Sequence, residues 1–209
     1  MNFQKLLDEE LELIKEKGIK PKLLIHACCG PCSSYVIEYL SKYFDITMYY
    51  YNPNIYPTFE FIRRCEELEK FINEFNEKNN KEIKLSIEDY DTKEFYEAIR
   101  GLEHQGEKSR RCYNCYKLRM TGAAKYAKEN NYDYFTTTLS ISPYKNANWI
   151  NEIGKKLEDK IGIKYLYSDF KKKDGYKRSL ELSREYNLYR QEYCGCVYSK
   201  EERKTMVKS

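Results

Sequence analysis

Apolar and charged positions alternate at helical spacing over residues 3–17, and Gly18 followed by Pro21 ends the run. Lys22-Leu23-Leu24-Ile25-His26-Ala27 then reads as a buried strand, residues 28–33 as a turn and residues 34–44 as a helix. A second strand over residues 45–51 is closed by the loop Asn52-Pro53-Asn54-Ile55-Tyr56-Pro57. Beyond it the pattern predicts a long charged helix over 58–79, a strand over 83–87 and a short helix over 93–100. A polar loop, 101–111, delivers Cys112 to the start of a helix reaching Asn130. A strand over 134–139, a loop over 140–146 and a helix over 149–159 follow. The last elements are a strand over 163–167 and a helix over 175–187, followed by a tail over 189–209 that carries the last cysteine pair.

Strands regularly separated by helices imply parallel crossovers. The expected fold class is therefore α/β: an open, doubly wound, mostly parallel sheet with helices on both faces, in one domain spanning residues 1–209. Ligands of such sheets bind beyond the carboxyl ends of the strands. The segments after the first, second and fourth strands (Cys28 onward, Asn52–Pro57 and Thr136–Lys145) accordingly point to one edge.

Composition narrows the function classes. The 209 residues are 33% charged with net charge +4, and no apolar run approaches the roughly 18–20 residues of a membrane span. Met1-Asn2-Phe3-Gln4-Lys5 leads into an acidic amphipathic stretch, which is no secretory signal, so a cytoplasmic location is expected. Clustered cysteines in a reducing compartment point to metal binding or redox chemistry rather than a disulfide framework. The mild positive charge is compatible with a polyanionic partner without requiring one.

Seven of the eight cysteines form three groups: Cys28-Cys29-x-x-Cys32, Cys112-x-x-Cys115 and Cys194-x-Cys196. Cys28 and Cys29 precede a helix, whose start favours thiolate over thiol. A phosphate cradle is disfavoured at the same place, because Pro31 lacks an amide donor and two thiolates repel phosphate. Cys112 and Cys115 sit one turn apart at another helix start. With Cys28 and Cys29 they make four thiolates, a ligand set for a [4Fe–4S] cluster, ahead of structural zinc. Cys194 and Cys196 would close a small strained disulfide, which suits a redox-active pair, or would ligate a second iron. Cys32 is either an extra ligand or a packing residue. Cys65, His26 and His104 read as structural.

Six segments then carry a resemblance: His26-Ala27-Cys28-Cys29-Gly30-Pro31-Cys32, Asn52-Pro53-Asn54-Ile55, Arg111 to Arg119, Thr137 to Lys145, Asp169-Phe170-Lys171-Lys172, and Tyr189 to Cys196. In this order and at these spacings the chain resembles the cobalamin-independent epoxyqueuosine reductases (QueH type) over residues 22–199. The resemblance implies reduction of epoxyqueuosine to queuosine at the wobble position of tRNAs with GUN anticodons. It implies a fold like that of the PP-loop nucleotide hydrolases, a [4Fe–4S] cluster with a second metal beside it, and an external low-potential electron donor. The family's cysteines carry over onto Cys28, Cys29, Cys112, Cys115, Cys194 and Cys196.

Within that function, a cluster can pass single electrons and an open iron can act as a Lewis acid on the epoxide oxygen. Tyr144, Lys145 and Asp169 are candidate proton donors. Tyr144 and Tyr56 are candidate stacking platforms, and Lys145, Lys171, Lys172 and Arg190 candidate phosphate contacts. Two rival readings are an ATP-dependent tRNA thiolation enzyme and a zinc-stabilised RNA-binding module. The first needs a Ser-Gly-Gly-type loop where this chain has Cys28-Cys29-Gly30-Pro31. The second would be colourless when purified anaerobically.

Overall fold

The computed structural model describes residues 2–207. Five strands, β1 (Lys22–His26), β2 (Asp45–Tyr50), β3 (Lys84–Ile87), β4 (Tyr134–Thr137) and β5 (Lys164–Tyr165), pair in the order β3-β2-β1-β4-β5. Every pairing is parallel, with Lys22 opposite Asp45 and Leu23 opposite Tyr134. The expected doubly wound α/β class is the one observed.

Alternation along the central strand explains why both faces must be covered. Leu23 and Ile25 point to one face and Leu24 to the other, since successive side chains in a strand point to opposite faces. The first pair meets α1 (Phe3–Glu16), α2 (Gly30–Leu40) and α3 (Thr58–Asn79) through Leu7, Leu11, Val36, Ile37, Leu40, Leu68 and Phe71. On the other face Leu24 packs with Met120, Ala123 and Ala127 of α5 (Arg110–Glu129) and with Ile150 and Ile153 of α6 (Ala147–Ile161). The remaining helices are α4 (Lys93–Ala98), α7 (Gly175–Glu185) and α8 (Val197–Val207). Because β2 and β4 flank β1 on opposite sides, the winding reverses between β1 and β4. A crevice opens at the carboxyl ends of strands at such a point.

Several boundaries differ from the sequence pattern. α2 begins at Gly30 rather than Ser34, with Cys29 as its N-cap and Pro31 in its first turn; proline is pre-set for that position and has no amide to waste there. The segment 138–141 leaves the sheet as a 3-10 turn, whose start is fixed by Thr137 Oγ1 accepting the Leu139 N–H at 3.2 Å. The tail that carries the last cysteine pair, to which the sequence pattern assigned no element, contains α8. Among the described residues no helix is long and apolar enough to cross a membrane.

Candidate metal and redox centre

The carboxyl end of β1 delivers its thiols directly into the crevice. Cys28 leaves the sheet edge and Cys29 caps α2. The sulfurs of Cys28, Cys29 and Cys32 lie within 4.8 Å of one another, with Cys28 Sγ 3.6 Å from Cys29 Sγ. Gln191 Nε2 donates to Cys29 Sγ at 3.1 Å, tying the segment before the last cysteine pair to this group. Cys32 belongs here because α2 starts four residues earlier than the pattern suggested, which places it in the first helical turn above Cys28.

The second and third groups arrive from far along the chain. The Ser109 side chain accepts the Arg111 N–H at 3.2 Å and starts α5, so that Cys112 and Cys115 occupy its first two turns. Cys115 and Cys196 are buried together with Phe95 and Ile99. Cys28, Cys32, Cys112 and Cys194 all border one cavity of about 370 Å³, together with Tyr116, Arg119, Tyr144, Lys145, Arg190 and Gln191. All three thiol groups therefore reach one cavity, while Cys65 stands apart on α3, where burial pushes its thiol up to about 11.

The charges around this cavity are unequal. Hydrogen bonds from Cys29 and Cys32, aided by Arg119 and Lys145, hold the Cys28 thiol well below its ordinary range. Its neighbour responds in the opposite sense: the hydrogen bond with Cys28, together with burial, pushes Cys29 up to about 12. Burial also raises Cys112 to about 11 and Cys115 to about 12. One thiolate therefore forms readily, and Cys29, Cys112 and Cys115 need a cation or a metal before they ionise.

Arg119 supplies part of that positive charge. It is 1% exposed and, among the described residues, forms no salt bridge. Its Nε–H donates to His26 Nε2 at 3.2 Å and its Nη2 to Asn52 Oδ1 at 2.6 Å. His26 Nε2 also lies 3.2 Å from the Tyr51 carbonyl oxygen, and its Nδ1 lies 2.9 Å from Thr137 Oγ1, which can donate or accept to suit either tautomer. Burial, then the Arg119 charge, lower His26 to about 3, so the imidazole is neutral. Burial alone would depress Lys145, but the Cys194 and Cys28 sulfurs outweigh it and keep the ammonium charged. A buried cation held only by neutral groups requires an anion nearby. Sulfur-only donors beside such cations fit a thiolate-bound metal centre, whose ligand sulfurs carry negative charge. Gln191 Oε1, buried on the same cavity, has no hydrogen-bond partner among the described residues.

The candidate contact residues divide. Tyr144 is 60% exposed at the cavity and Lys145 is half-buried within its lining. Arg190 borders it while donating to Ser183 Oγ at 3.0 Å. Lys171 is paired with Asp169, and neither of them nor Lys172 borders the cavity. The sequence reading assigned no role to Arg119, Tyr116 or Gln191. For Arg119 the signal was present: it follows Cys115 by four and Cys112 by seven, on the same helical face.

Comparison with known proteins agrees with this centre. The family model described as "Epoxyqueuosine reductase QueH" matches residues 23–202. Relatives bearing the same name include one from Staphylococcus epidermidis, 41% identical over 95% of this chain and 84% of its own. Another, from Streptococcus pyogenes serotype M1, is 40% identical over 95% of this chain and 78% of its own. A more distant one from Thermotoga maritima is 36% identical over 87% of this chain and 92% of its own. With a match that runs through β1, every strand and all seven clustered cysteines, the chain belongs to the epoxyqueuosine reductase QueH family.

Proposed function

We propose that the protein reduces epoxyqueuosine to queuosine at the wobble position of tRNAs with GUN anticodons. The observation that carries this reading is the meeting of three thiol groups on one cavity lined by the buried Arg119 and the half-buried Lys145. The reaction removes one oxygen: the epoxide takes up two electrons and two protons, its two C–O bonds are replaced by a C=C bond, and the oxygen leaves as water. Cys28, Cys29, Cys112 and Cys115 would hold a [4Fe–4S] cluster, with Cys32 close to the first two. When bound, that group supplies single-electron transfer, and a neighbouring iron would supply Lewis acidity toward the epoxide oxygen.

The protein's own residues account for the rest of the balance. Cys194, on the cavity, and Cys196, behind it, form a dithiol whose oxidation to a disulfide releases two electrons and two protons. An external low-potential donor must then return the pair to its reduced form. Lys145, kept protonated beside Cys28 and Cys194, is placed to stabilise negative charge developing on the departing oxygen. Tyr144 stands at the rim for base stacking, and Arg190 for a phosphate or sugar contact. Lys171 and Lys172 would act further out on the RNA.

The test is direct. Anaerobically reconstituted, chemically reduced enzyme is incubated with tRNA carrying epoxyqueuosine, which is then digested and its nucleosides followed by mass spectrometry. The expected product has lost one oxygen. Persistence of the epoxide with the cluster intact and a competent reductant present would refute the reading.

A further inference from the structure

The rim of the cavity continues into an exposed aromatic surface that the chemistry above does not use. Lys200 Nζ stands 5.7 Å from the Tyr56 ring centroid, 5.6 Å from that of Phe59 and 5.8 Å from that of Tyr193. Three rings from two distant parts of the chain thus surround one ammonium. Phe59 is 64% exposed and Tyr56 44%, although their neighbours Glu60 and Phe61 are buried. Single exposed apolar side chains are ordinary, but a contiguous group of rings marks a contact surface.

The surface is built into the site. The Tyr56 N–H donates to Gly195 O at 2.8 Å, between the last two cysteines. Tyr193 OH donates to Tyr56 O, and Tyr193 also borders the cavity. Arg64, almost fully buried, donates to the carbonyls of Tyr193 and Cys194 at 3.3 and 3.1 Å, fixing the segment that carries the third ring. Along α3 the exposed face continues through Ile62 to Arg63, three and four residues beyond Phe59. Arg63 there lies 3.4 Å from the Tyr189 ring centroid. Cations interleaved with open rings suit a flexible polyanion whose monomers carry flat faces, which is unpaired nucleic acid.

We infer that Tyr56, Phe59, Tyr193 and Lys200 form a platform for the unpaired anticodon-loop nucleotides that flank the reacting base. This rests on the proposed tRNA reading and adds to it where the neighbouring nucleotides lie. Any RNA with its reacting base in the cavity brings the adjoining nucleotides past Tyr193, the ring shared by cavity and platform. Flanking bases stack on Phe59 and Tyr56, and the Lys200 ammonium meets the phosphate between them. Such stacking is tolerant of sequence, because every base presents a π-face.

The experiment uses the full-length, cluster-reconstituted protein and an RNA stem-loop with a GUN anticodon and 2-aminopurine beside the wobble nucleotide. Wild-type protein is expected to bind it with a change in 2-aminopurine fluorescence. Phe59→Ala and Phe59→Leu should each weaken binding about tenfold, the loss expected for one stacked base, with no change in salt dependence. Phe59→Trp should retain affinity. Lys200→Ala should weaken binding and lower the slope of log affinity against log salt by about 0.7, the value for one single-strand phosphate contact. Iron content and thermal stability identify any variant that has lost its fold, and Phe59→Leu, which keeps an apolar side chain, isolates stacking from packing. Wild-type affinity in both Phe59→Ala and Phe59→Leu overturns the inference. So does a loss confined to turnover with a protein electron donor, which would make the surface a redox-partner site. Because binding is read without turnover, failure of epoxide reduction in the wild type would refute the proposed reaction and leave the binding result to decide this one.

Discussion

Arg119 is a guanidinium with almost no solvent, two neutral acceptors and, among the described residues, no carboxylate partner. Such a charge is costly unless an anion completes it. Burial opposes the charge, while the neighbouring sulfurs of Cys115, Cys28 and Cys194 favour it; of these, Cys28 is the thiol held below its ordinary range and supplies that anion. Arg119→Gln keeps some hydrogen bonding and removes the charge. It should lower iron and acid-labile sulfide after anaerobic reconstitution by roughly half or more, because thiolates without their counter-charge ligate poorly at neutral pH. Arg119→Lys should recover part of the loss. Full iron and sulfide in Arg119→Gln would show that the thiols need no such cation. The cysteines themselves were legible in the sequence because thiol spacing is a local property. The spacing of Arg119 from Cys112 and Cys115 was equally legible, but its meaning depends on being buried, which spacing and charge content do not reveal. The same holds for Cys32, whose place in the tightest thiol group follows from a helix start set by Pro31.

Between elements, α6 lies against β5 only because Gly154 has no side chain. A Cβ there would meet the Tyr165 ring at 2.2 Å. Tyr165 is fully buried and cannot swing into solvent, so Gly154→Ala must shift the helix or the ring. Overpacking of this kind costs about 1–3 kcal/mol, a fall in Tm of roughly 2–12 °C for a chain this size. Thermal unfolding measures it, and an unchanged Tm would mean that α6 moves freely on the sheet. A second joint holds α8. Arg111, almost wholly buried, donates to Glu202 Oε1 at 2.8 Å and to Glu103 O at 3.1 Å, and its guanidinium stacks 4.6 Å from the Tyr198 ring centroid. Glu202→Ala should cost about 1 kcal/mol, given that Glu202 is one-third exposed. Amide exchange over 197–205 and alkylation of Cys196 should then rise roughly fivefold; unchanged Cys196 alkylation would separate α8 from the burial of that thiol. The strands and the long helices could be read from the sequence because their periodicity is strong. α8 was not, because Val197-Tyr198-Ser199-Lys200-Glu201-Glu202-Arg203-Lys204 has a weak apolar face and is held by contacts with α5, which no local pattern records.

At the scale of the whole molecule, the parallel sheet converts distance along the chain into proximity. Cysteines at 28, 112 and 194 border one cavity because β1 ends, α5 begins and the segment before α8 passes at the same edge. The edge itself followed from the alternation of strands and helices, whereas the pairing of particular thiols across it requires coordinates. The proposed chemistry divides two tasks among the thiols. Cys28, Cys29, Cys112 and Cys115 provide four sulfurs before the last pair is counted, and Cys32 stands in reserve beside the first two. Cys194 and Cys196 lie on a segment fixed from outside the thiol set, by Arg64 and by the Tyr56 amide, with Gly195 at φ 138° between them. Few side chains adopt that backbone conformation, so the turn that brings the two cysteines together depends on glycine. Replacing both cysteines by Ser keeps the segment's size and polarity and removes its redox capacity. The double variant should retain at least about four-fifths of the wild-type iron, since the proposed cluster has its four thiolates elsewhere, and should lose epoxide reduction altogether. Iron, sulfide and visible absorption after anaerobic reconstitution, with mass spectrometry of treated tRNA, measure both quantities on one preparation. Loss of the chromophore would move Cys194 or Cys196 into the cluster's ligand set, and wild-type turnover would remove the pair from the reaction.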